Sequence, residues 1–420
     1  MEEIHKAIQL MEQNKPEDAI NLLQSFLPRA NEEEKFTIAE LYMRWGMLNE
    51  AKHILIDFLQ SYPNEEEIKI MLAEIYIDLE EDEAAIDLLN QFTPLDEGYV
   101  EALIQLADLY QAQGLFEVSE QKLLEAKNIN PHEPLIDFAL GELAFSVGEY
   151  QKAIPYYEKV WNVQPVIADI EIGLRLAEAY AATGDFENAL DYYQSTENDN
   201  PDHLFRYGFI AFRGDRLDIS IKVWEQLLET DPHFQSVYYY LAKAYDEEGM
   251  IEEGYETAKK GLRIDEFNKE LFFLTGVLAH RLGKREEGLQ FVRESVSIDP
   301  GYKEAVLFLI ENYKNIEDNQ AVIDLLTHVQ ELGEEEGYYK WELAKAHREI
   351  ESFNDALNMY MDAYNDFKDD SDFLKEYGYF LVEEGRIKEA TKVLTEYLKI
   401  EPVDIEVEEY LGRLKENELF

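Results

Sequence analysis

The sequence predicts an all-α protein, an α-solenoid of about twelve antiparallel helix pairs followed by a C-terminal capping helix. Two observations predict this fold class. A small residue recurs at a nearly constant interval, which is 34 residues from Ala39 to Ala73 and at most later steps, as far as Gly412. A second small residue lies 12 positions after each of these as far as Gly378. A fixed period with two helical patterns per unit is typical of stacked helical hairpins, in which each unit contacts only its neighbours.

Small side chains at two points per unit allow the two helices of a hairpin to approach closely. The first set comprises Ala39, Ala73, Ala107, Gly141, Ala177, Gly208, Ala242, Gly276, Ala344, Gly378 and Gly412. The second comprises Ala51, Ala85, Ser119, Ala153, Ala189, Ser220, Gly254, Gly288, Ala356 and Ala390. A bulky residue, Ile310, occupies one expected position of the first set, and we expect local repacking there.

Glycine and proline predict where the helices end. Glycines seven residues after the first small residue should end the first helix in a left-handed conformation, at Gly46, Gly114, Gly148, Gly184, Gly249, Gly283 and Gly385. Prolines should close the second helix, because proline cannot continue a helical hydrogen-bond ladder, at Pro63, Pro131, Pro165, Pro201, Pro232, Pro300 and Pro402.

The small residues, glycines and prolines recur together at fixed positions of each unit. Segments with this pattern, such as LADLYQAQGLFEVSEQKLLEAKNINP, resemble tetratricopeptide repeats (TPRs), and the resemblance extends from the amino terminus to Pro402. The resemblance implies a right-handed superhelix whose first helices line a concave groove. We expect residues 1–200 to form units with an acidic groove, residues 201–402 units with an aromatic and basic groove, and residues 403–420 the capping helix.

Two irregular intervals interrupt the period. Gaps of 36 and then 31 residues place a lengthened turn at Pro165–Ile170 and a shortened one at Ser195–His203. The altered turns predict a bend or hinge within residues 165–203. The alternative is that the two turns differ in length without changing the direction in which the repeats stack.

Composition narrows the class of partner. Acidic residues outnumber basic ones 90 to 38, for a formal net charge of -52. Such a charge repels phosphate backbones and anionic lipids, so we expect neither nucleic acid binding nor membrane insertion, and we expect partners that are basic proteins or peptides. The alternative is that the acidic residues serve only to keep a long solenoid soluble.

Three further features indicate a cytoplasmic protein. The chain has no cysteine, which fits a reducing compartment. Its amino terminus, MEEIHKAIQL, lacks the pattern of a secretory signal. The longest apolar stretch, Leu271–His280, is about half the length of a membrane span. In overall plan the chain resembles the long, stand-alone cytoplasmic repeat proteins of bacteria.

The sequence shows no motif for catalysis or for cofactor binding. Neither GxxxxGK[ST], GxGxxG nor HExxH occurs, and the eight histidines are scattered rather than placed at ligand spacing. We therefore expect a non-enzymatic protein without cofactor or metal.

The resemblance assigns the groove lining to the second, fifth, ninth, twelfth and thirteenth residues of each unit, counting the first small residue as the eighth. The ninth residues of units two to six are all acidic: Glu40, Glu74, Asp108, Glu142 and Glu178. Such a row indicates a surface for a cationic ligand, because adjacent like charges oppose folding unless they are neutralised. Chance sampling of an acid-rich composition is the alternative.

From unit seven the groove becomes aromatic and basic. Phe205, Phe209 and Phe212 share one helix face beside Arg213, and we expect them to face Tyr239 of the next unit, next to Lys243. Aromatic residues beside arginine are typical of binding hot spots. The alternative is packing between neighbouring repeats, which is the more common role of a helical aromatic stripe.

The prediction from sequence is a protein-protein interaction scaffold or adaptor that holds a basic or amphipathic segment of a partner in its groove. The alternative is a peptide-sensing regulator whose superhelix closes when ligand binds.

Overall fold

A computed structural model of the protein describes residues 1–196 and 199–417. The chain divides into two compact units, Met1–Asn198 and Asp199–Phe420. The all-α prediction is confirmed, since the described residues contain 25 α-helices, one short 3₁₀ helix and a single two-stranded sheet.

The first unit is built from six consecutive helix pairs. Its helices are α1 (Glu2–Glu12), α2 (Pro16–Phe26), α3 (Glu32–Arg44), α4 (Leu48–Ser61), α5 (Glu66–Asp78), α6 (Asp82–Leu89), α7 (Tyr99–Ala112), α8 (Phe116–Ile129), α9 (Pro134–Ser146), α10 (Tyr150–Trp161), α11 (Ile172–Thr183) and α12 (Phe186–Ser195). The 3₁₀ helix, Leu27–Arg29, follows α2.

The second unit contains six further pairs and one more helix. Its helices are α13 (Pro201–Arg213), α14 (Leu217–Thr230), α15 (Gln235–Glu248), α16 (Ile251–Gly261), α17 (Lys269–Arg281), α18 (Arg285–Ile298), α19 (Lys303–Lys314), α20 (Asn319–Glu331), α21 (Gly337–Glu349), α22 (Phe353–Phe367), α23 (Ser371–Glu383), α24 (Ile387–Ile400) and α25 (Ile405–Asn417). Helix α25 corresponds to the predicted capping helix, and it buries Val407, Leu411 and Leu414. Residues 418–420 of that prediction lie outside the described residues.

The small residues lie where the paired helices touch, as predicted. Both sets are buried throughout, with the exception of Gly412. A Cβ on Gly141 would come within 2.7 Å of the Tyr157 ring, and one on Gly378 within 2.5 Å of Leu394. Each of these bulky residues follows its glycine by 16 positions, so the second helix places a large side chain on the gap that the glycine leaves. The bulky exception, Ile310, is accommodated in the core with 2% of its surface exposed.

The turn between the two helices of a pair requires a left-handed residue. All seven glycines predicted at this turn have positive φ, from 71° at Gly46 and Gly385 to 85° at Gly249. Four other repeats place an acidic residue at the same position with φ between 58° and 62°, namely Glu80, Asp215, Glu317 and Glu351. Non-glycine residues adopt this conformation at an energetic cost.

Six of the seven prolines follow the end of a second helix, and the prediction for Pro201 is wrong. Helix α12 ends at Ser195, and Pro201 is the first residue of α13. Because the repeat interval is shortened here, the proline falls at the start of the next helix. Proline is tolerated at this position, since its missing N–H would have no intrahelical partner.

The lengthened turn after α10 forms a β-hairpin that an all-α prediction does not include. Strands β1 (Val166–Ile167) and β2 (Ile170–Glu171) pair antiparallel, with Ile167 opposite Ile170. Two residues with positive φ, Ala168 and Asp169, make the turn, which is the backbone that a two-residue hairpin favours. The bend or hinge predicted within residues 165–203 stays a prediction, and residues 197 and 198 lie outside the described residues.

Candidate functional site

The first helices of successive repeats form one face of each unit. In the first unit α5 contacts α7 and α7 contacts α9, and in the second unit α13 contacts α15 and α15 contacts α17. Successive second helices make no comparable contact in the described parts of the chain. The first helices are therefore the closely spaced, inner side of each unit, where the predicted groove residues lie.

Three of the five predicted groove carboxylates have no hydrogen-bond or ion-pair partner among the residues that the structure describes. Glu40, Glu74 and Asp108 lie on α3, α5 and α7, at the same position of three consecutive repeats. Glu40 is half-buried, whereas Glu74 and Asp108 are exposed. Within residues 1–196 and 199–417, none of the three makes a hydrogen bond or an ion pair. Their charges are available to a ligand.

The surroundings of Glu74 and Asp108 disfavour their charge. The pKa of Glu74 is raised above its ordinary value, first by partial removal from water and then by the nearby charges of Glu101 and Asp78. Desolvation likewise raises the pKa of Asp108. Both side chains reach solvent but stand among packed helices, as expected on an inner face. A positive group placed there would relieve the unfavourable interactions.

Arg175 pairs with the other two predicted carboxylates, Glu142 and Glu178. Its Nε and Nη2 donate to the two oxygens of Glu142 at 2.8 and 3.1 Å, and its Nη1 donates to Glu178 at 3.3 Å. Glu142 also accepts a hydrogen bond from the Tyr157 hydroxyl at 2.6 Å. The Arg175 guanidinium lies 5.5 Å from the centroid of the Phe145 ring. The acidic row therefore ends, as a free surface, at Asp108.

Sequence reasoning missed Arg175, although a signal was present. Arg175 precedes Glu178 by three residues on α11, and charges at this spacing lie side by side on a helix. The pairing with Glu142 crosses to the preceding first helix, 33 residues away. The repeat register alone would have placed the two residues near one another.

The predicted aromatic stripe of the second unit packs between repeats. Phe205 and Phe209 stack with centroids 6.3 Å apart, and Phe205 lies 5.2 Å from Phe234. Phe212 lies 5.9 Å from Trp224, which also donates a hydrogen bond to the Phe205 carbonyl at 3.2 Å. The three phenylalanines of the stripe remain half-buried, so part of each ring faces solvent.

The stripe meets Tyr240 of the next repeat rather than the predicted Tyr239. The Tyr240 ring lies edge-on to Phe209 at 5.2 Å, and Tyr239 contacts Tyr240 at 5.3 Å. Lys243 places its ammonium group 5.7 Å from the Phe212 ring centroid, and Arg213 is exposed. The stripe and its basic neighbours therefore lie together, with Tyr240 as the member that sequence reasoning missed.

A second polar cluster lies further along the second unit. Glu342 has 2% of its side chain exposed and accepts hydrogen bonds from Lys314, at 2.9 Å, and from Lys345. These residues line an open cavity of about 840 Å³ together with Arg348 and Glu376. The two lysines and the arginine lie within residues 201–402, for which the sequence predicts an aromatic and basic groove.

No helix within the described residues is long and apolar enough to cross a membrane.

Helix pairs stacked at this period, with small residues at both contact points, define a tetratricopeptide-repeat protein. The comparisons with known proteins agree with this class. Family descriptions match at residues 338–404 (YpiA-like, C-terminal tetratricopeptide repeats), at residues 111–164 (YpiA-like, tetratricopeptide repeats) and at residues 172–203 (tetratricopeptide repeat). Residues 1–114 match the ARM repeat of tetratricopeptide repeat protein 21.

The TPR repeat-containing protein YpiA of Bacillus subtilis (strain 168) is 41% identical over 415 residues, which cover 98% of each chain. The chain therefore belongs to the YpiA-like family of tetratricopeptide-repeat proteins.

Solved structures share parts of the fold. YrrB, described as a TPR protein with an unusual peptide-binding site, is 17% identical with a TM-score of 0.38, over 44% of this chain and 95% of its own. MamA is 18% identical with a TM-score of 0.36, over 39% of this chain and 97% of its own.

Proposed function

We propose that this protein is a non-enzymatic scaffold that holds a basic or amphipathic segment of a partner protein on the inner face of its first unit. Tetratricopeptide repeats mediate protein-protein interactions. The observation that carries the finer proposal is a set of three carboxylates on consecutive first helices, Glu40, Glu74 and Asp108, which have no partner within residues 1–196 and 199–417. We expect the partner to supply the positive charge that the protein itself does not.

Apolar side chains beside these carboxylates favour an amphipathic segment over a purely basic one. The fifth residues of the same repeats include Phe36 and Ile104, and the twelfth residues include Met43 and Ile77. All four are half-buried. A partner segment with alternating cationic and apolar side chains would satisfy the carboxylates and cover this apolar surface at once.

The second unit offers a different contact surface. In our proposal Phe205, Phe209, Phe212 and Tyr239 take up apolar side chains of the partner, and Arg213 and Lys243 stand beside them. A net charge of -52 supports a protein or peptide partner over nucleic acid or a membrane surface. We propose that the protein acts in the cytoplasm.

Charge removal tests the proposal directly. The groove variant changes Glu40→Gln, Glu74→Gln and Asp108→Asn. The matched control changes Asp57→Asn, Asp87→Asn and Glu117→Gln, which removes three exposed carboxylates from the second helices of the same repeats.

The measurement is the affinity for a peptide of alternating leucine and lysine, followed by fluorescence anisotropy from about 0.05 to about 0.3 M salt. We expect the groove variant to lose about tenfold or more in affinity and to show a flatter salt dependence. The control should lose much less. Equal losses in the two variants, or no binding by the unchanged protein, would overturn the proposal.

A further inference from the structure

One position of the repeat places its side chain against the preceding repeat. This bridging position lies two residues before the first small residue, and its contacts are visible at three places. Arg175 reaches Glu142, Tyr240 reaches Phe209, and Glu342 reaches Lys314. The chemistry of the contact differs each time, but the direction is the same. The bridging position therefore occupies a defined space between two consecutive first helices.

At Arg175 this space holds a guanidinium group in a complete binding site. The two flanking carboxylates, Glu142 on α9 and Glu178 on α11, accept three of its N–H groups. The Phe145 ring lies beside it at 5.5 Å. Two carboxylates on consecutive first helices thus form a socket that fits arginine, because the planar guanidinium can donate to both at once.

One repeat earlier the same socket lacks its arginine. The bridging residue there is Ala139, which is half-exposed and whose methyl group cannot reach a carboxylate. Asp108 and Glu142 flank it at the same register positions as Glu142 and Glu178 flank Arg175. The bridging residues of the two preceding repeats, Met71 and Gln105, are long uncharged side chains at the same register position, and both are half-buried.

Both flanking carboxylates can still accept hydrogen bonds. Asp108 makes none within the described residues. Within the same residues, Glu142 accepts two hydrogen bonds at Oε1, from Tyr157 and Arg175, and one at Oε2, from Arg175. Since a carboxylate offers about four acceptor sites, Glu142 can accept a further N–H at Oε2. The charge around Ala139 is therefore negative and only partly satisfied.

We propose that the space between Asp108 and Glu142, beside Ala139, binds an arginine side chain of the partner segment. This inference rests on the proposed function and makes it specific, since it names the residue that the partner presents and the repeat that receives it. Arginine fits better than lysine, because its fork of donors reaches both carboxylates whereas an ammonium group is a single point of charge.

The test supplies the missing arginine from the chain itself. In the variant Ala139→Arg the new side chain should pair with Asp108 and Glu142, as Arg175 pairs with its own neighbours, and should compete with the partner. The control Ala139→Gln adds a long side chain without charge, the residue type that Gln105 supplies at the bridging position one repeat earlier. Arg175→Ala is the converse variant, because it removes the arginine that already pairs with Glu142.

The probes are two peptides, one alternating arginine with leucine and one alternating lysine with leucine. We expect the unchanged protein to prefer the arginine peptide, Ala139→Arg to weaken its binding by about tenfold, and Arg175→Ala to strengthen it. Ala139→Gln should lose less than Ala139→Arg. Circular dichroism melts of each variant confirm that it is folded.

Two results would overturn the inference in distinguishable ways. If both peptides bind the unchanged protein but neither Ala139→Arg nor Arg175→Ala alters the affinity for the arginine peptide, the socket is wrong and the proposed function stands. If neither peptide binds the unchanged protein, the proposed function fails and the socket fails with it.

Discussion

Trp224 packs its indole directly on Gly208, so that a Cβ built on Gly208 would lie 2.3 Å from the indole nitrogen. The same nitrogen donates a hydrogen bond to the Phe205 carbonyl at 3.2 Å. Most repeats carry alanine where Gly208 stands. This repeat has glycine instead of alanine because the indole of Trp224, on the second helix, occupies the space of the alanine methyl group. Trp224 is fully buried as a result.

Gly208→Ala should therefore destabilise the second unit, although alanine is the better helix former. The added methyl group must displace a buried indole that is held by a hydrogen bond, and overpacking of this kind costs about 1–3 kcal/mol. Urea denaturation gives the overall change. Hydrogen exchange of α13 and α14 shows whether the loss is local.

Gly412→Ala is the matched control at the same position of the repeat. Gly412 lies in α25, is exposed, and has no atom within 4 Å of a Cβ built on it. Alanine there should raise the free energy of unfolding by about 0.5–1 kcal/mol, because glycine is a poor helix former. Equal effects of the two substitutions would contradict the packing argument.

The sequence predicted the repeating parts of this fold because each depends on one local requirement. A small residue is needed wherever two helices touch, and a left-handed residue wherever the first helix turns into the second. Departures from the period were harder to predict. The hairpin after α10 and the place of Pro201 depend on how two irregular turns pack, which residue type and spacing do not specify.

The candidate site was predictable only in part for a related reason. The register placed Glu142 on the inner face, but register alone does not say whether a carboxylate has a partner. Arg175 and Tyr240 were missed because the bridging position is not among the groove positions that the resemblance implies. Its role becomes visible only when two consecutive repeats are placed side by side.

Replacing glutamate by glycine should stabilise the protein at two turns where glutamate adopts the left-handed backbone conformation. Glu317 and Glu351 have φ of 60° and 62° at the turn where most repeats carry glycine. Glu317→Gly and Glu351→Gly should each raise the free energy of unfolding by about 0.5–1 kcal/mol, because glycine adopts this backbone conformation without the clash that a Cβ suffers. Thermal and urea denaturation measure the gain.

Two control variants separate backbone strain from charge. Glu317→Gln removes the same negative charge but keeps the Cβ, so it should recover little of the gain. Glu256→Gly places glycine at an exposed position inside α16, where it should cost about 1 kcal/mol. If Glu317→Gln stabilises as much as Glu317→Gly, strain is not the cause.

Asp108→Asn should stabilise the protein at neutral pH and have no such effect in acid. Desolvation raises the pKa of Asp108 above 3.8, so the folded state binds the proton more tightly than the unfolded chain does. Stability contributed by this group therefore falls as the pH rises from about 3.8 to its folded pKa. At pH 7 we expect a gain of up to about 0.5 kcal/mol, absent at pH 3.

The pKa of Asp404 is shifted in the direction opposite to that of Asp108. It accepts hydrogen bonds from Lys375 at 2.7 Å, from the Tyr397 hydroxyl at 2.6 Å and from the Val407 amide at 3.2 Å, which together lower its pKa to about 2. Its contribution is present above pH 3.8 and is lost as the pH falls towards 2. Asp404→Asn should therefore destabilise at pH 7. Shifts of the same sign in both variants would contradict these assignments.

Moderate salt should stabilise the whole protein. A net charge of -52 makes like charges repel along the chain, and the range of that repulsion falls from about 30 Å at 0.01 M salt to about 10 Å at 0.1 M. The melting temperature should rise between these concentrations. Near pH 4.3, where the net charge approaches zero, the rise should largely vanish. A flat or falling melting temperature at neutral pH would count against self-repulsion.

Glu342 and its two lysines should respond asymmetrically to substitution. Burial acts to raise the pKa of Glu342, but the hydrogen bonds and charges of Lys345 and Lys314 outweigh it and hold that pKa below 4.5. Removing both lysines leaves a buried carboxylate unpaired, whereas removing the carboxylate leaves two lysines that can turn to solvent. An unpaired buried charge is the costlier defect.

We therefore expect the double variant Lys314→Met with Lys345→Met to lose about 3 kcal/mol at pH 7, and Glu342→Gln to lose about 1 kcal/mol. Acid should narrow the difference between the two variants. In the double variant the carboxyl binds its proton more tightly when folded, so the stability of that variant recovers as the pH falls. In the unchanged protein the ion pairs lose their contribution below about 4.5. Urea denaturation at pH 7 and pH 4 measures both effects. If the double variant is as stable as the unchanged protein at pH 7, the two lysines do not stabilise the buried charge of Glu342.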